Sequence, residues 1–444
     1  MLTLPLAVIC LSLSFLFPTP HSPLPSMVNL QFSRNWRSWF SPWQGVDWIL
    51  MVLVVGLTGF GALVINSTQL HLDTSYGLNH LVLGGIGLGI CLWFARCRYE
   101  NLLNWQWVIY GAVNLSLLAV IFIGTVGLGA QRWITIGGFN IQPSEFAKLG
   151  MIITLAKLLS QRDASTLGGV FKAVAITAVP WALVFIQPDL GTSLVFGVVV
   201  MGMLYWANCN PGWLVLFISP LVAAIMFHLL FPGWLVWSVL MGLIAWNTLP
   251  WRWFSSILAT AVNLVSGKLG DIFWGLLQDY QKDRLILFLD PDKDPLGGGY
   301  HLIQSRIAIG AGQIWGQGIG EGSQTQLNFI PEQHTDFIFS AVGEELGLVG
   351  CAALLITYLL ICFRILIIAQ NAKDDFGSLI AVGVFSMLVF QISINIGMTI
   401  GLAPITGIPL PWMSYGRSAL LTNFMALGIV QSVANYRHRL KFTD

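Results

Sequence analysis

Residues 331–363 read PEQHTDFIFSAVGEELGLVGCAALLITYLLICF. A polar run ends at Asp336. From Phe337 onward the chain is apolar for longer than the ~20 residues that cross a bilayer core, broken chiefly by Glu344 and Glu345. The stretch therefore reads as a membrane-spanning helix with a carboxylate at its mouth. Working outward, runs of the same kind occupy 48–65, 80–94, 107–125, 146–160, 171–186, 190–206 and 213–230 on one side, and 379–400 and 415–434 on the other. Two weaker runs lie at 234–246 and 253–265. The pattern predicts an all-α polytopic membrane protein with ten core transmembrane helices and an extra pair if the weaker runs also cross.

Composition agrees. Of 444 residues, 56% are hydrophobic and 9% charged, against about 25% charged in soluble domains. The 19 Trp and 27 Phe suit aromatic belts at the two interfaces. A net charge of +1 leaves no footprint for nucleic acid. The six cysteines, at 10, 91, 97, 209, 351 and 362, sit in or beside apolar runs and read as reduced residues.

Short basic loops set orientation. Arg34 and Arg37, Arg96 and Arg98, Lys157, Arg162 and Lys172, Arg364 and Lys373, and Arg437, Arg439 and Lys441 share one side if the spans alternate. That side is read as the cytoplasm, with both termini inside. The weaker runs must then count as an even number: either both cross, with Arg252 inside, or both lie in the interface. A long polar stretch, 268–336, becomes a large extracytoplasmic loop before the eighth core helix, joined by loops at 126–145, 187–189 and 401–414. The chain divides into an N-terminal extension (1–46), a single transmembrane domain (47–437) that includes the extra segments 233–266, and a cytoplasmic tail (438–444). Residues 1–26 are apolar up to Phe17, lack a preceding Lys or Arg and carry Pro18, Pro20, Pro23 and Pro25. They read either as a weak secretory signal or as a stretch preceding a start at Met27, and no function is assigned to them.

Asp336 is the first candidate for chemistry. If a helix starts at Phe337, Ser340, Gly343 and Gly347 share a face below the carboxylate. Such small residues either leave a groove or serve close helix packing. Asp336 itself reads either as a reactive acid or as a charge favoured by the helix dipole. Glu145 and Lys148, three apart after Gln142-Pro143-Ser144, share a helix face. They are either a functional pair facing a cavity or a structural ion pair, Glu145 bonding Lys148 or Arg132. Gln187-Pro188-Asp189 has the composition of a turn. Walker A, Gly-x-Ser-x-Gly and HExxH patterns are all missing from the sequence, so nucleotide or serine hydrolysis has no support and no organic cofactor is expected.

Eight stretches occur in one order. They are Gly129-Ala130-Gln131-Arg132-Trp133, Gln142-Pro143-Ser144-Glu145-Phe146-Ala147-Lys148, Gln187-Pro188-Asp189-Leu190-Gly191-Thr192, Asp294 through His301 to Gln304-Ser305, Pro331 to Phe339, Glu344-Glu345-Leu346-Gly347, Asn395-Ile396-Gly397-Met398 and Pro409 to Gly416. In this order they closely resemble the SEDS family (shape, elongation, division, sporulation) of peptidoglycan glycosyltransferases. Gly299 to Ser305, Thr406 to Pro411 and Gln324-Thr325-Gln326-Leu327 resemble its rod-shape branch, RodA, more than its division branch, FtsW. The chain departs from the family in having Arg417 where a Gly is usual, and in the extra apolar pair.

The resemblance implies polymerisation of lipid II, with the 4-hydroxyl of the incoming sugar attacking the anomeric carbon of the growing strand and a polyprenyl diphosphate leaving. It implies Asp336 as the base. Arg132 and Lys148, and further out Arg306, are candidates for the diphosphate, and Glu145, Asp189, Glu332, His334 and Ser414 complete the expected substrate contacts. Glu332 with Asp336 would hold any Mg²⁺ or Mn²⁺. Expected partners are lipid II, the glycan strand, a class B penicillin-binding protein and other elongation-complex membrane proteins, in the bacterial cytoplasmic membrane. The competing readings are a lipid II flippase, a division-branch polymerase and a scaffold.

Overall fold

Asp47 opens the bundle. Its carboxylate accepts the Leu50 N–H (3.1 Å) and caps α1, Trp48–Ser67, satisfying a helix-end donor that has no partner within the helix. This computed structural model describes residues 41–69, 75–127, 130–137, 139–161, 164–276, 278–294 and 299–437. The readings made for 1–26 and 438–444 lie outside the described residues. The chain forms one unit at 1–42 and another at 43–444, and the helices of the bundle belong to the second.

The helices that follow are α2 (Tyr76–Arg96), α3 (Leu102–Ile123), α4 (Pro143–Gln161), α5 (Leu167–Ile186), α6 (Leu190–Trp206), α7 (Pro211–Leu229), α8 (Phe231–Thr248) and α9 (Arg252–Leu276). Three short helices come next: α10 (Asp279–Leu289), α11 (Tyr300–Ala311) and α12 (Ser323–Gln326). The bundle then resumes with α13 (Ile338–Gln370), α14 (Asp375–Ile400) and α15 (Arg417–Asn435). Every run read as a span is a helix, and the fold is that of a polytopic, all-α membrane protein. Among the described residues, seven helices are long and apolar enough to cross a membrane by length and composition alone. α15 falls short of that measure because it carries the polar Thr422, Asn423, Gln431 and Ser432, all of them buried.

The loop expected at 126–145 is partly a small antiparallel sheet of β1 (Thr125–Gly127), β2 (Ala130–Ile136) and β3 (Phe139–Ile141). Its run Trp133-Ile134-Thr135-Ile136 is β-branched and aromatic, and Gly137, at φ +57°, supplies the turn that pairs Ile136 with Phe139. The stretch read as loop from 268 begins as helix, since α9 runs through Lys268 to Leu276. The rest of it is built from α10, α11 and α12.

The buried core draws on α1, α2, α4, α6, α13, α14 and α15. α7, α8 and α9 pack chiefly on one another. The Trp234 indole donates to the Asn263 carbonyl (3.1 Å), Asn263 donates to the Ser219 hydroxyl (3.1 Å), and Trp246 meets Trp253 edge to face at 4.5 Å. α8 and α9 thus pack side by side as a helical pair. At the end of the bundle remote from Asp336, Arg364 donates to the buried Asp47 carboxylate (2.9 Å), Gln431 brackets the Asp47 backbone, and Tyr99 donates to Asp374 (3.0 Å). The Asp47 bonds tie α1 to α13 and α15, and the Tyr99 bond ties the turn before α3 to the start of α14.

α13 is broken at Gly347, with φ +63° and ψ −160°. The freed Glu344 and Glu345 carbonyls accept the Gln317 and Gly318 N–H groups (2.9 and 3.0 Å), while Leu348 and Val349 donate to the Gln313 and Ile314 carbonyls (2.9 and 3.1 Å). The loop after α11 therefore completes the ladder that the break opens. Nearby, Ser340 bonds Ser305 (2.6 Å) and Gly343 seats Ile309. The small residues below Asp336 are filled by α11 and its loop, so close packing is the reading that holds, and Gly347 leaves the expected helix face. A Cβ on Gly347 would stand 2.6 Å from the Ile314 oxygen, in a backbone region essentially reserved for Gly. Gly347→Ala should cost about 1–3 kcal/mol in backbone strain alone, read as a lower thermal midpoint in detergent.

Candidate active site

Four segments meet around Asp336. The first is the 331–337 turn itself, in which Glu332 takes a left-handed φ of +51° and Thr335 donates to its carboxylate (3.1 Å). The second is the Gly401–Ser414 segment. Asn395 on α14 donates to the carbonyls of both Asp336 (2.9 Å) and Ile408 (2.8 Å), locking the two segments to one amide. Gly407, at φ +72°, lies under the carboxylate: a Cβ there would sit 3.5 Å from the Asp336 Oδ2. The third is β2 with the 187–189 turn. Arg132 donates to the Pro188 carbonyl and pairs with Asp189 at 3.9 Å, and Asp189 also caps α6 through Thr192. The fourth is α10, whose Gln281 donates to the same Pro188 carbonyl (3.1 Å).

Asp336 is half-buried. Burial first, then the negative charge of Glu332, pushes its carboxyl up to about 6, against the opposing pull of Arg284 and Arg132. His334 and His301 are both held below the usual imidazole value, mainly by burial, with Arg284 adding to the effect at His301. Beside the carboxylate, Tyr76 stacks on His334 (5.1 Å) and meets Tyr415 edge to face (5.0 Å), while the Tyr415 N–H donates to the His334 carbonyl (2.9 Å). His301 stacks on Phe337 at 6.1 Å.

The structure thus gathers Arg132, Asp189, Glu332 and His334 around the Asp336 mouth. The remaining candidates are engaged elsewhere. Lys148 gives both of its contacts of 2.8 Å to the two Glu145 oxygens, and the residues are 1% and 4% exposed. The ion pair left open between Lys148 and Arg132 is therefore with Lys148. The Ser414 hydroxyl accepts the Leu410 N–H (2.8 Å) and closes the 410–414 turn. Arg306 lies against Gly401 at the end of α14. Arg417, the departure from the family pattern, begins α15 and stacks over Phe139 of β3 at 5.2 Å, so it fastens the small sheet to the last helix. Sequence reasoning missed Arg284, Gln281, Asn395, Tyr76 and Gly407. Asn395 and Gly407 stood in quoted stretches, but neither was assigned a role there. Five thiols, Cys91, Cys97, Cys209, Cys351 and Cys362, are free. Among the described residues no group of three or more His, Cys, Asp or Glu side chains is placed to hold a metal.

A half-buried carboxylate between two guanidiniums, at the end of a membrane bundle, can take a proton from a hydroxyl while an anionic group rests alongside. The comparisons with known proteins identify the family. The family model described as cell cycle protein, for the FtsW, RodA and SpoVE group, matches residues 47–234 and 232–439. The chain therefore belongs to the FtsW/RodA/SpoVE family, the SEDS family. It is 35% identical over 402 residues to the peptidoglycan glycosyltransferase MrdB of Escherichia coli K12, covering 89% of this chain and 95% of that one. It is 34% identical over 423 residues to the peptidoglycan glycosyltransferase RodA of Treponema pallidum, covering 87% and 97%. Its fold matches a chain of a solved peptidoglycan synthase complex that coordinates polymerization and crosslinking, with a TM-score of 0.68, 27% identity and coverage of 89% and 100%.

Proposed function

We propose that this chain is a rod-shape-branch peptidoglycan glycosyltransferase that polymerises lipid II at the outer face of the cytoplasmic membrane, with Asp336 as its general base. One observation carries the reading: the Asp336 carboxylate stands at the mouth of α13, facing the Arg284 guanidinium across Gly407, and burial there pushes its carboxyl up to about 6. A neutral sugar hydroxyl is a poor nucleophile, and a carboxylate poised near the operating pH is suited to take its proton. The 4-hydroxyl oxygen of the incoming sugar bonds to the anomeric carbon of the strand. The bond from that carbon to the diphosphate breaks, and the proton passes to Asp336. Both substrates hang from lipids, which suits a site at the mouth of spanning helices.

The orientation is supported by charge. Arg96, Arg98, Lys157, Lys172, Arg252, Arg364 and Lys373 lie toward the end remote from Asp336, and basic loops stay in the cytoplasm. Asp336 then faces outward and both termini face inward. The likeness to a chain of a synthase complex supports a class B penicillin-binding protein as partner within an assembly of elongation-complex membrane proteins. The Asp336 and Glu332 carboxylates, whose mutual repulsion a divalent ion would relieve, are the pair that would hold Mg²⁺ or Mn²⁺, with water and phosphate oxygens completing its shell. Such an ion would neutralise charge on the leaving diphosphate.

The test is lipid II polymerisation by the purified full chain in detergent, where no two-sided membrane exists. Glycan strands are the expected product. Movement of lipid II across vesicles with no polymer formed in detergent would establish the flippase instead.

A further inference from the structure

α10 carries a second cation to the site that no sequence motif marked. Gln281 and Arg132 both donate to the Pro188 carbonyl, from different elements, which fixes α10 beside β2. Arg284 follows Gln281 by three residues, so it shares that helix face. Its Nη1 lies 3.9 Å from the point a Gly407 Cβ would occupy, and the Asp336 Oδ2 lies 3.5 Å from the same point. Among the described residues, and apart from the chain neighbours of Gly407, these are the two atoms such a Cβ would meet within 4 Å. Carboxylate and guanidinium thus face one small space, which Gly407 keeps open by having no side chain.

Resting on the proposed function, we infer that Arg284, with Arg132, forms the subsite for the diphosphate of the lipid-linked sugar donor, across the Gly407 gap from Asp336. A guanidinium suits this role because its fork matches phosphate oxygens and it stays charged at every working pH. It stabilises the charge that develops as the diphosphate leaves, and it favours the ionised form of the base. The charged groups acting on Asp336 are Glu332 of its own turn, Arg132 of β2 and Arg284 of α10. His301 of α11, stacked on Phe337, lies in the field of Arg284.

The experiment uses the purified full chain in detergent with Arg284→Ala and Arg284→Gln, lipid II as substrate and inorganic diphosphate as inhibitor. Both variants should lose roughly 100-fold in kcat, as when one donor to developing charge is removed. Inhibition by inorganic diphosphate should weaken about tenfold or more, the loss of one charge-assisted bond. The acid limb of the pH–rate profile should move to higher pH, because the carboxylate has lost a favourable neighbour. A packing role alone would leave that limb in place. If Arg284→Ala fails to fold, Arg284→Gln, of similar length, carries the test. Unchanged diphosphate inhibition and an unchanged acid limb in a folded variant overturn the inference. Inactivity of Asp336→Asn alongside that result would spare the base, whereas full activity of Asp336→Asn would remove the base assignment and leave the polymerase activity standing.

Discussion

Asp336→Asn should give a folded, membrane-inserted protein that makes no measurable glycan polymer from lipid II. A positioned general base contributes about 10²–10⁴-fold, and Asn cannot accept the proton. The replacement is isosteric, and the backbone that holds residue 336 is fixed through its carbonyl by Asn395, so the fold should survive. The same assignment sets the pH dependence of the native protein. The base acts as the carboxylate, and its carboxyl sits near 6, above the ordinary range. The rate should therefore be flat above neutrality and fall as pH drops through about 6, one proton at a time. A rate independent of pH between 8 and 5, or polymer from purified Asp336→Asn, would falsify the base assignment.

The largest effect on stability is expected at Glu145. Its carboxylate holds the Lys148 ammonium through two contacts of 2.8 Å in the interior of α4's surroundings. Glu145→Ala leaves a buried charge without its partner, which costs about 3–5 kcal/mol. Replacing both residues, Glu145→Leu with Lys148→Met, should recover most of that loss, because paired apolar residues of similar volume avoid the desolvation cost. Thermal unfolding in detergent of Glu145→Leu, Lys148→Met and the double closes the cycle. Losses in Glu145→Leu and Lys148→Met that sum to the loss in the double would show that the pair is not coupled. Activity of a folded double variant then separates a structural pair from one that the substrate also needs.

The spans were legible because length and apolarity are local properties, and the motif stretches were legible because they recur in one order. What escaped depended on contacts between distant segments. Arg284 sits between Asp283 and Leu285 with nothing local to set it apart from Lys282; only the docking of α10 on the 187–189 turn brings it to Asp336. Lys148 shares a helix face with Glu145, but spacing could not say whether both point into a cavity or at each other. Gly347 fits a helical stripe of small residues, and its left-handed break is intelligible only once the 313–318 loop is seen to bond into it. Ser414 stands in a family motif yet closes its own turn. The sheet at 125–141 was hidden by its length, since strands this short carry little periodicity.

The pairing of α8 with α9 has an evolutionary corollary. One added helix would invert every later segment and carry the basic face of the chain to the wrong compartment, a change no single subsequent mutation could repair. A hairpin is topologically silent: it can be inserted or excised in one genetic event without reorienting its descendants. Because this hairpin rests on α7 and not on the helices that present Asp336, its α8–α9 turn, at the end remote from α10 and its Arg284, into which α9 leads, can be reshaped at little cost to the chemistry.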